Sequence, residues 1–554
     1  MGFSTIPPRF VILTVLDGWG LAPDTDGNAI SKAKTPNMDK LWHTFPHTRL
    51  EASGESVGLP RGEVGNTETG HINLGAGSII YQDLQRIDRS IADGSFFENQ
   101  TLREAINHAK NFNSNFHILG LLGAGGVHSN VEHLYALVQL CAREKFDRVF
   151  IHIFTDGRDS PPTASMSYLN SLEEVLKKEG AGKIASIMGR YWAMDRDFRW
   201  ERTQKAYLAL TQGIGNKVKS PQEVVSASYK SGKTDEFIEP SVIVKEDGTP
   251  LSLIKDNDAA IFFNFRIDRP RQLTSFFIFD QLSNSISDFD PYAIKYTSTH
   301  IKYPLQNTSP GGLRGEKIKN LYFATMTEYG KQLTKMGANP AYPPQRVDLP
   351  LSGVLANNAL RQLKITESEK ERFVTFYFNG LREGSFEGEE VIIIPSPKVP
   401  TYDQKPEMSG GEITKKVVDK LAGADYKFCL VNFPNADMVG HTGNIDAAVT
   451  AVESVDAFIG KLSSFALAYG GALVITADHG NAEEMINLKT GEMGTEHSGN
   501  QVPFIVVTKE LLGRSHEVRS GILADVAPTI LPLLGLPTPS SMSGRNLLED
   551  LSLF

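Results

Sequence analysis

The sequence predicts an α/β protein, and three observations carry that prediction. Short apolar runs recur along the chain, polar periodic stretches of helical length separate several of them, and the runs end on acids, histidines and arginines. The first run, Phe10 to Leu16, has the character of a strand buried on both faces of a parallel sheet, and it ends on Asp17 and Gly18. Similar runs span Asn115 to Leu122, Arg148 to Phe154, Lys183 to Met188, Ala259 to Phe265, Val374 to Phe378, Val391 to Ile394, Lys427 to Phe433 and Ala472 to Thr476. Thr163 to Glu179 and Gly411 to Leu421 read as helices between them.

Ligands of open parallel sheets sit beyond the carboxyl ends of the strands. Here those ends carry Asp17, His128 after Gly125 and Gly126, Asp156 with Arg158 and Asp159, Arg190, Arg266 with Arg269, Asp437 with His441, and Asp478 with His479. Any one of them alone reads as well as a helix cap or a surface charge. The full set points to a ligand site.

The composition bounds what that ligand site can be. The 554 residues are 40% hydrophobic and 22% charged, an ordinary globular balance. Fifty-six basic against 65 acidic side chains give a net charge of −9, which argues against a surface that is basic throughout and leaves room for a local basic pocket. With only two cysteines, Cys141 and Cys429, neither a disulfide framework nor a cysteine zinc site is available, which fits a reducing cytosol. The N-terminus lacks a secretory pattern, Ile6 breaks a myristoylation motif, and no apolar run approaches the ~20 residues of a membrane helix. A soluble, cytoplasmic protein is expected. Gly123 to Gly126 follows a strand, but the third glycine of a dinucleotide fingerprint is His128. No aromatic-interleaved basic stretch supports nucleic-acid binding.

Two stretches read as domain crossings. One lies near Ser78 to Arg89, after the glycine-rich Gly70 to Gly77; the other is Ala341 to Pro350, whose three prolines suit a stiff linker. The chain is thus expected to leave one domain, build a second and return.

Asp17, Asp437, Asp478, His441, His479 and His497 make a set of three acids and three histidines. Oxygen and nitrogen donors without thiolate suit manganese, zinc, cobalt or iron better than calcium, and six ligands are enough for two ions. Thr67, in G-N-T-E-T-G-H, offers a hydroxyl between glycines; read alone it is a turn residue bonding its own backbone, and beside a metal it is a nucleophile.

Twelve motifs carry a resemblance, among them V-L-D-G-W-G at Asp17, G-N-T-E-T-G-H-I-N-L-G-A-G at Thr67, T-D-G-R-D-S-P-P at Asp159, G-R-Y-W-A-M-D-R-D at Arg190, F-F-N-F-R-I-D-R at Arg266, N-A-D-M-V-G-H-T-G at Asp437 and T-A-D-H-G-N-A-E at Asp478. From about residue 10 to 547, in order and spacing, the chain resembles the cofactor-independent phosphoglycerate mutases of the alkaline phosphatase superfamily. The resemblance implies a metal-binding phosphatase domain of residues 1–81 and 350–554, an inserted phosphotransferase domain of residues 82–340, and a linker at 341–349. It implies two divalent ions, manganese first with cobalt, zinc or iron as alternatives, and no 2,3-bisphosphoglycerate. One ion would be held by Asp437, His441 and His497, the other by Asp17, Asp478, His479 and the nucleophile Thr67. Thr67 would take the phosphoryl group of 3-phosphoglycerate and return it to the other hydroxyl of the reoriented glycerate, a step of glycolysis and gluconeogenesis. Lys370 matches the lysine that contacts the phosphorylated nucleophile, Asp159 the base for the substrate hydroxyl, and His128 and Arg158 substrate contacts. Arg190, Arg196, Arg266 and Arg269 match clamps for phosphate and carboxylate, whereas Arg199, Arg202 and Arg271 read as solvated surface charges. A monomer without nucleic-acid or membrane partners is expected.

The chain departs from the family pattern at five places. Threonine replaces the usual serine at Thr67, where its methyl stands to crowd the site. Thr69 replaces valine, Asn130 and Phe373 each replace histidine, and Gly410-Gly411 replace bulkier residues. Two other readings compete with the mutase: a metal-dependent phosphomonoesterase that loses the phosphoryl group to water, and a catalytically degenerate paralogue.

Overall fold

The computed structural model describes residues 7–280, 314–487, 490–516 and 518–551. Ile6 and residues 281–313 of the expected insert lie outside the described residues. The chain divides into two compact units, Met1–Gln82 with Gln345–Phe554, and Asp83–Pro344.

The first unit is built on an eight-stranded sheet in the order Glu389–Ile394, Gln362–Glu367, Phe428–Phe433, Val11–Leu16, Ala472–Thr476, Val502–Val507, His47–Glu51, Gly521–Ile522. The first five strands are parallel, and Val502–Val507 runs antiparallel to both its neighbours. Val11–Leu16 is buried throughout, as its apolar composition dictates for a strand covered on both faces. Register matters more than composition for the site. Leu16 pairs with Phe433 and Val15 with Thr476, so three neighbouring parallel strands end level and release Asp17, the Asp437 segment and Asp478 at one edge. Helices Gly410–Gly423 and Ile445–Tyr469 cover the sheet through residues such as Ile413, Val417, Phe458 and Leu462, which join the strand side chains in one core.

One expected strand is absent. Val374 to Phe378 instead forms a π-helical turn, Phe373–Tyr377. The run is rich in aromatic residues, but only Val374 and Phe378 are fully buried, and they stand four residues apart. That is one face of a helix.

The second unit carries its own eight-stranded sheet, ordered Ala338–Tyr342, Tyr322–Thr327, Ala259–Phe262, Phe116–Leu122, Val149–Thr155, Lys183–Gly189, Ser241–Ile243, Asn216–Val218. The first six strands are parallel, and Ser241–Ile243 is antiparallel to Lys183–Gly189. Ala341 and Tyr342, read in the sequence as linker, complete its edge strand. The run from Ala259 pairs only as far as Phe262, and Phe263 to Phe265 continues toward Arg266. Among the described residues no helix is long and apolar enough to cross a membrane.

Candidate active site

Each side chain of the first unit's site is fixed by a different local device. Gly18 follows Asp17 with φ +77°, and a Cβ on it would lie 2.7 Å from the Asp437 Cα, so only glycine lets the strand end press against the short helix Asn435–Gly440. Thr67 is the first residue of the helix Thr67–Ala76, capped by Asn66, whose Oδ1 accepts the Thr69 N–H at 2.9 Å. A Cβ on Gly70 would sit 2.5 Å from the Asp478 Cβ, which lets this helix lie directly on the Asp478 turn. Lys370 comes from the 3₁₀ turn Ser368–Lys370, after the strand Gln362–Glu367.

These devices bring eight sequence-predicted residues together. The Lys370 ammonium donates to Asp17 Oδ1 at 2.9 Å, Asp437 Oδ2 at 2.8 Å and Thr67 Oγ1 at 3.2 Å. Thr67 Oγ1 lies 3.0 Å from His479 Nε2, which is itself 3.4 Å from Asp17 Oδ1 and 3.5 Å from Asp478 Oδ2. Beyond Lys370, Asp437 Oδ1 lies 3.1 Å from His441 Nε2 and 3.2 Å from His497 Nε2, and the two nitrogens are 3.2 Å apart.

The tautomers follow from the outer contacts. His441 Nδ1 faces the Thr495 carbonyl at 2.6 Å, His497 Nδ1 the Gly65 carbonyl at 2.9 Å, and His479 Nδ1 the Gly480 carbonyl at 3.2 Å. A carbonyl only accepts, so each Nδ1 carries a hydrogen, and once the ring is neutral, as a metal ligand must be, its Nε2 lone pair faces inward. Nε2 atoms and carboxylate oxygens this close together need protons or a metal cation among them. Their separations match the edge of a tetrahedron with ligands about 2.0–2.1 Å from its centre, about 3.3 Å.

Charge points the same way. Asp17, Asp437 and Asp478 are buried and face one buried ammonium. Burial opposes the charge on Asp437 and Asp478, yet Lys370 and the neighbouring histidines outweigh it and hold both carboxyls below their ordinary range. Burial likewise opposes charge on His479, but the surrounding carboxylates, Asp478 first, push it up to about 10. Such a site is short of positive charge, and its donors fit divalent metals. The ligand atoms fall into three sets, Asp437 with His441 and His497, Asp17 with Asp437 and His479, and Asp17 with His71 and Asp478.

His71 stands in the Thr67 motif without an assigned role. Its Nδ1 lies 3.1 Å from the Thr67 carbonyl and 3.2 Å from Asp478 Oδ2, while Asn432 donates to its Nε2 at 3.3 Å. Both ring nitrogens are thereby engaged, and the ring orients Asp478. Asn432 also donates to Asp17 Oδ2 at 2.8 Å, and Asn481 to Asp437 Oδ1 at 3.0 Å. A polar residue within the apolar run to Phe433 was the available signal for Asn432.

The second unit gathers a cluster of opposite sign. Arg190, almost fully buried, donates from Nη1 to Asp156 Oδ1 at 2.6 Å and Asp159 Oδ2 at 2.5 Å. Asp268 faces Arg196 at 2.6 Å, Arg266 at 3.3 Å and His128 at 3.5 Å, and His128 Nε2 lies 3.8 Å from Asp159 Oδ2. Asp156 and Asp268 occur in the sequence motifs without an assigned role; here they hold the arginines in place. Burial, then the charge of Arg190, depresses His128 to about 4, so it is neutral at neutral pH. Burial and the nearby Arg190, Arg196 and Arg158 lower Arg269 as well, the mark of cations crowded together. Arg158 reaches Glu236 at 3.8 Å, and Arg269 donates to the Met194 carbonyl at 3.1 Å.

Two of the three arginines read as solvated need correction, Arg202 and Arg271, whereas Arg199 is a surface charge paired with an exposed carboxylate. Arg202 lies over the Tyr191 ring at 3.7 Å and pairs with Asp195 at 3.3 Å, Arg271 donates to the Tyr329 carbonyl at 2.6 Å, and Arg199 pairs with Asp197 at 2.7 Å. The heads of Arg202 and Arg271 are engaged by a ring, a carboxylate and a carbonyl where a charge count sees only surface.

The departures from the family pattern have local accounts. Thr69 Oγ1 joins the helix cap through Asn66, and Asn130 caps the helix Val131–Arg143. Phe373 lies 5.3 Å beneath the Lys370 ammonium and stacks on Tyr377. Gly410 is required by packing, since a Cβ there would lie 2.3 Å from the Phe458 ring.

Fold and donor set together define the class, a metal-dependent α/β enzyme. A family model described as the BPG-independent PGAM N-terminus matches residues 87–331. The 2,3-bisphosphoglycerate-independent phosphoglycerate mutase of Moorella thermoacetica is 47% identical over 540 residues, covering 98% of each chain. That of Clostridium beijerinckii is 45% identical over 540 residues, covering 98% of this chain and 99% of its own. The crystal structure of Leishmania mexicana phosphoglycerate mutase at low cobalt concentration matches with a TM-score of 0.54 and 29% identity, over 98% of both chains. The chain belongs to the family of 2,3-bisphosphoglycerate-independent phosphoglycerate mutases, enzymes that interconvert 3- and 2-phosphoglycerate.

Proposed function

We propose that the interconversion proceeds through a phosphothreonine enzyme formed on Thr67, with the first unit as the metal-bearing phosphatase domain and the second as the substrate domain. The observation that carries this reading is the setting of one hydroxyl. Thr67 Oγ1 lies 3.0 Å from His479 Nε2 and 3.2 Å from the Lys370 ammonium, at the first residue of a ten-residue helix whose N-terminus favours an attached phosphate. Asp437, His441 and His497 would hold one divalent ion and Asp17, Asp478, His479 and Thr67 the other. Manganese is the leading candidate, with cobalt, zinc or iron as alternatives. When bound, the ions supply the positive charge that lowers the proton affinity of the threonine hydroxyl and offsets charge on the phosphoryl oxygens.

The chain's own groups do the rest. Lys370 keeps its ammonium against Thr67 Oγ1 and offers a donor to the phosphoryl group once it is attached. Arg190, Arg196, Arg266 and Arg269 bind the phosphate and carboxylate of the substrate, assisted by His128 and Arg158. Asp159, held by Arg190 at 2.5 Å, takes the proton of the substrate hydroxyl on its carboxylate and returns it. No role falls to 2,3-bisphosphoglycerate, because Thr67 itself carries the group between the two hydroxyls.

The test is a rapid acid quench after mixing enzyme, manganese and 3-phosphoglycerate, with mass spectrometry of the Thr67 peptide and assay of 2-phosphoglycerate against free phosphate. Phosphate on Thr67 with 2-phosphoglycerate in excess is expected. Predominant release of free phosphate would make the enzyme a phosphomonoesterase, and label on another residue would remove Thr67 from its role.

A further inference from the structure

We propose that Glu483 is a positioning residue that clasps three metal-ligand segments of the first unit into one geometry; the proposal rests on the metal-binding reading above. Glu483 is 1% exposed and belongs to none of the three sets of converging ligand atoms. Its carboxylate accepts four hydrogen bonds. Oε2 takes the backbone N–H of Gly20 at 3.0 Å and of Asn481 at 2.8 Å, and Oε1 takes the Ser498 hydroxyl and, at 3.0 Å, the Asn500 amide.

The donors are what make the arrangement informative. Gly20 lies three residues after Asp17, Asn481 two after His479, and Ser498 directly after His497. Asn481 also donates its side chain to Asp437 Oδ1 at 3.0 Å. One carboxylate is therefore bonded to the backbone or side chains of segments that carry ligands of both proposed ions. Two glycines make the approach possible. A Cβ on Gly20 would lie 2.2 Å from the Glu483 carboxyl carbon, and one on Gly480 2.3 Å from its Oε1. A carboxylate is acceptor-only and can meet four donors; an amide of the same shape must turn its NH₂ toward two of them. Outer partners that orient ligands in this way are typically worth about 10–100-fold in metal affinity.

The experiment measures manganese binding by equilibrium dialysis, and melting temperature with and without manganese, for the unaltered chain and Glu483→Gln. The absorption spectrum of the cobalt-loaded protein and the split of kcat against KM are read alongside. The unaltered chain should bind manganese; if it does not, the metal reading itself fails, whatever the variant does. Given that binding, Glu483→Gln should weaken manganese about tenfold or more, shrink the rise in melting temperature that manganese produces, and alter the cobalt spectrum, with kcat falling and KM nearly unchanged. A purely structural role predicts an equal drop in melting temperature with and without metal and an unchanged affinity and spectrum, and that result overturns the proposal. If Glu483→Gln does not fold, Ser498→Ala and Asn500→Ala decide: each removes one donor to Oε1, and manganese affinity equal to that of the unaltered chain in both would overturn it equally.

Discussion

In the first unit, Asp17, Asp437 and Asp478 lie buried around a single ammonium, that of Lys370. In the second, Arg158, Arg196 and Arg266 leave about half of each side chain in solvent, and each meets a carboxylate of its own chain. The difference is one of exchange. Buried, excess negative charge has no access to water and is relieved by cations held as part of the structure. Half-solvated arginines already satisfied by Asp268 and Glu236 can release those partners for an incoming anion at small cost, because exposed ion pairs are weak. Loss of one group should therefore be close to all-or-none in the first unit and graded in the second.

The sharpest way to break this contrast is at the nucleophile. Thr67→Ala is expected to lower kcat on the order of 10⁴-fold or more with an unchanged circular dichroism spectrum, and retained turnover would contradict the assignment. Thr67→Ser keeps the hydroxyl and should keep turnover; a rise in kcat would identify the methyl as a hindrance. Next in size is metal removal. Chelation should abolish turnover and lower the melting temperature, since an ion present at a hundredfold its dissociation constant stabilises by about 2.7 kcal/mol. Protons compete with metal for the Nε2 atoms of His441, His479 and His497, so turnover should fall below neutral pH and recover partly with excess manganese. A pH profile indifferent to manganese would count against these ligands.

In the second unit the effects should be smaller. Arg196→Ala and Arg266→Ala are expected to raise KM about 10–100-fold, the worth of one or two charged hydrogen bonds, with metal content unchanged in elemental analysis. An effect on stability rather than turnover concerns His128, depressed to about 4 by burial and by Arg190. Between about pH 6.5 and 4 the unfolded chain binds a proton there that the folded chain does not, so stability is full above that window and declines as pH falls through it. His128→Gln should flatten the dependence of melting temperature on pH across that window; an unchanged slope would mean that His128 takes up its proton normally.

Much of the first unit's site was legible because parallel strands end level, so that Asp17, Asp478 and His479 come within three residues of the end of an apolar run and Asp437 within four. His497 was found by its residue type and Thr67 by its glycines. Less visible was whatever depends on two distant segments at once. His71 and Asn432 act on Asp478 and Asp17 through ring and amide contacts that no spacing encodes, and Glu483 gathers its backbone and side-chain donors from segments far apart in the chain. Val374 and Phe378 were misread because a short apolar run has no period of its own, and burial of only the first and fifth residues decides for a helical turn. Val502–Val507 escaped because Pro503 argues against an interior strand, yet it lies between Ala472–Thr476 and His47–Glu51.

The pairing of Val11–Leu16 with Phe428–Phe433 also has a meaning in time. The innermost strand of the first sheet leaves the ribosome more than 400 residues ahead of that neighbour. At about 5–20 residues per second the interval is roughly 20–80 s, long enough for the whole of Asp83–Pro344 to be synthesised and to close its own sheet in between. Throughout that interval a strongly apolar segment has no native neighbour to pair with.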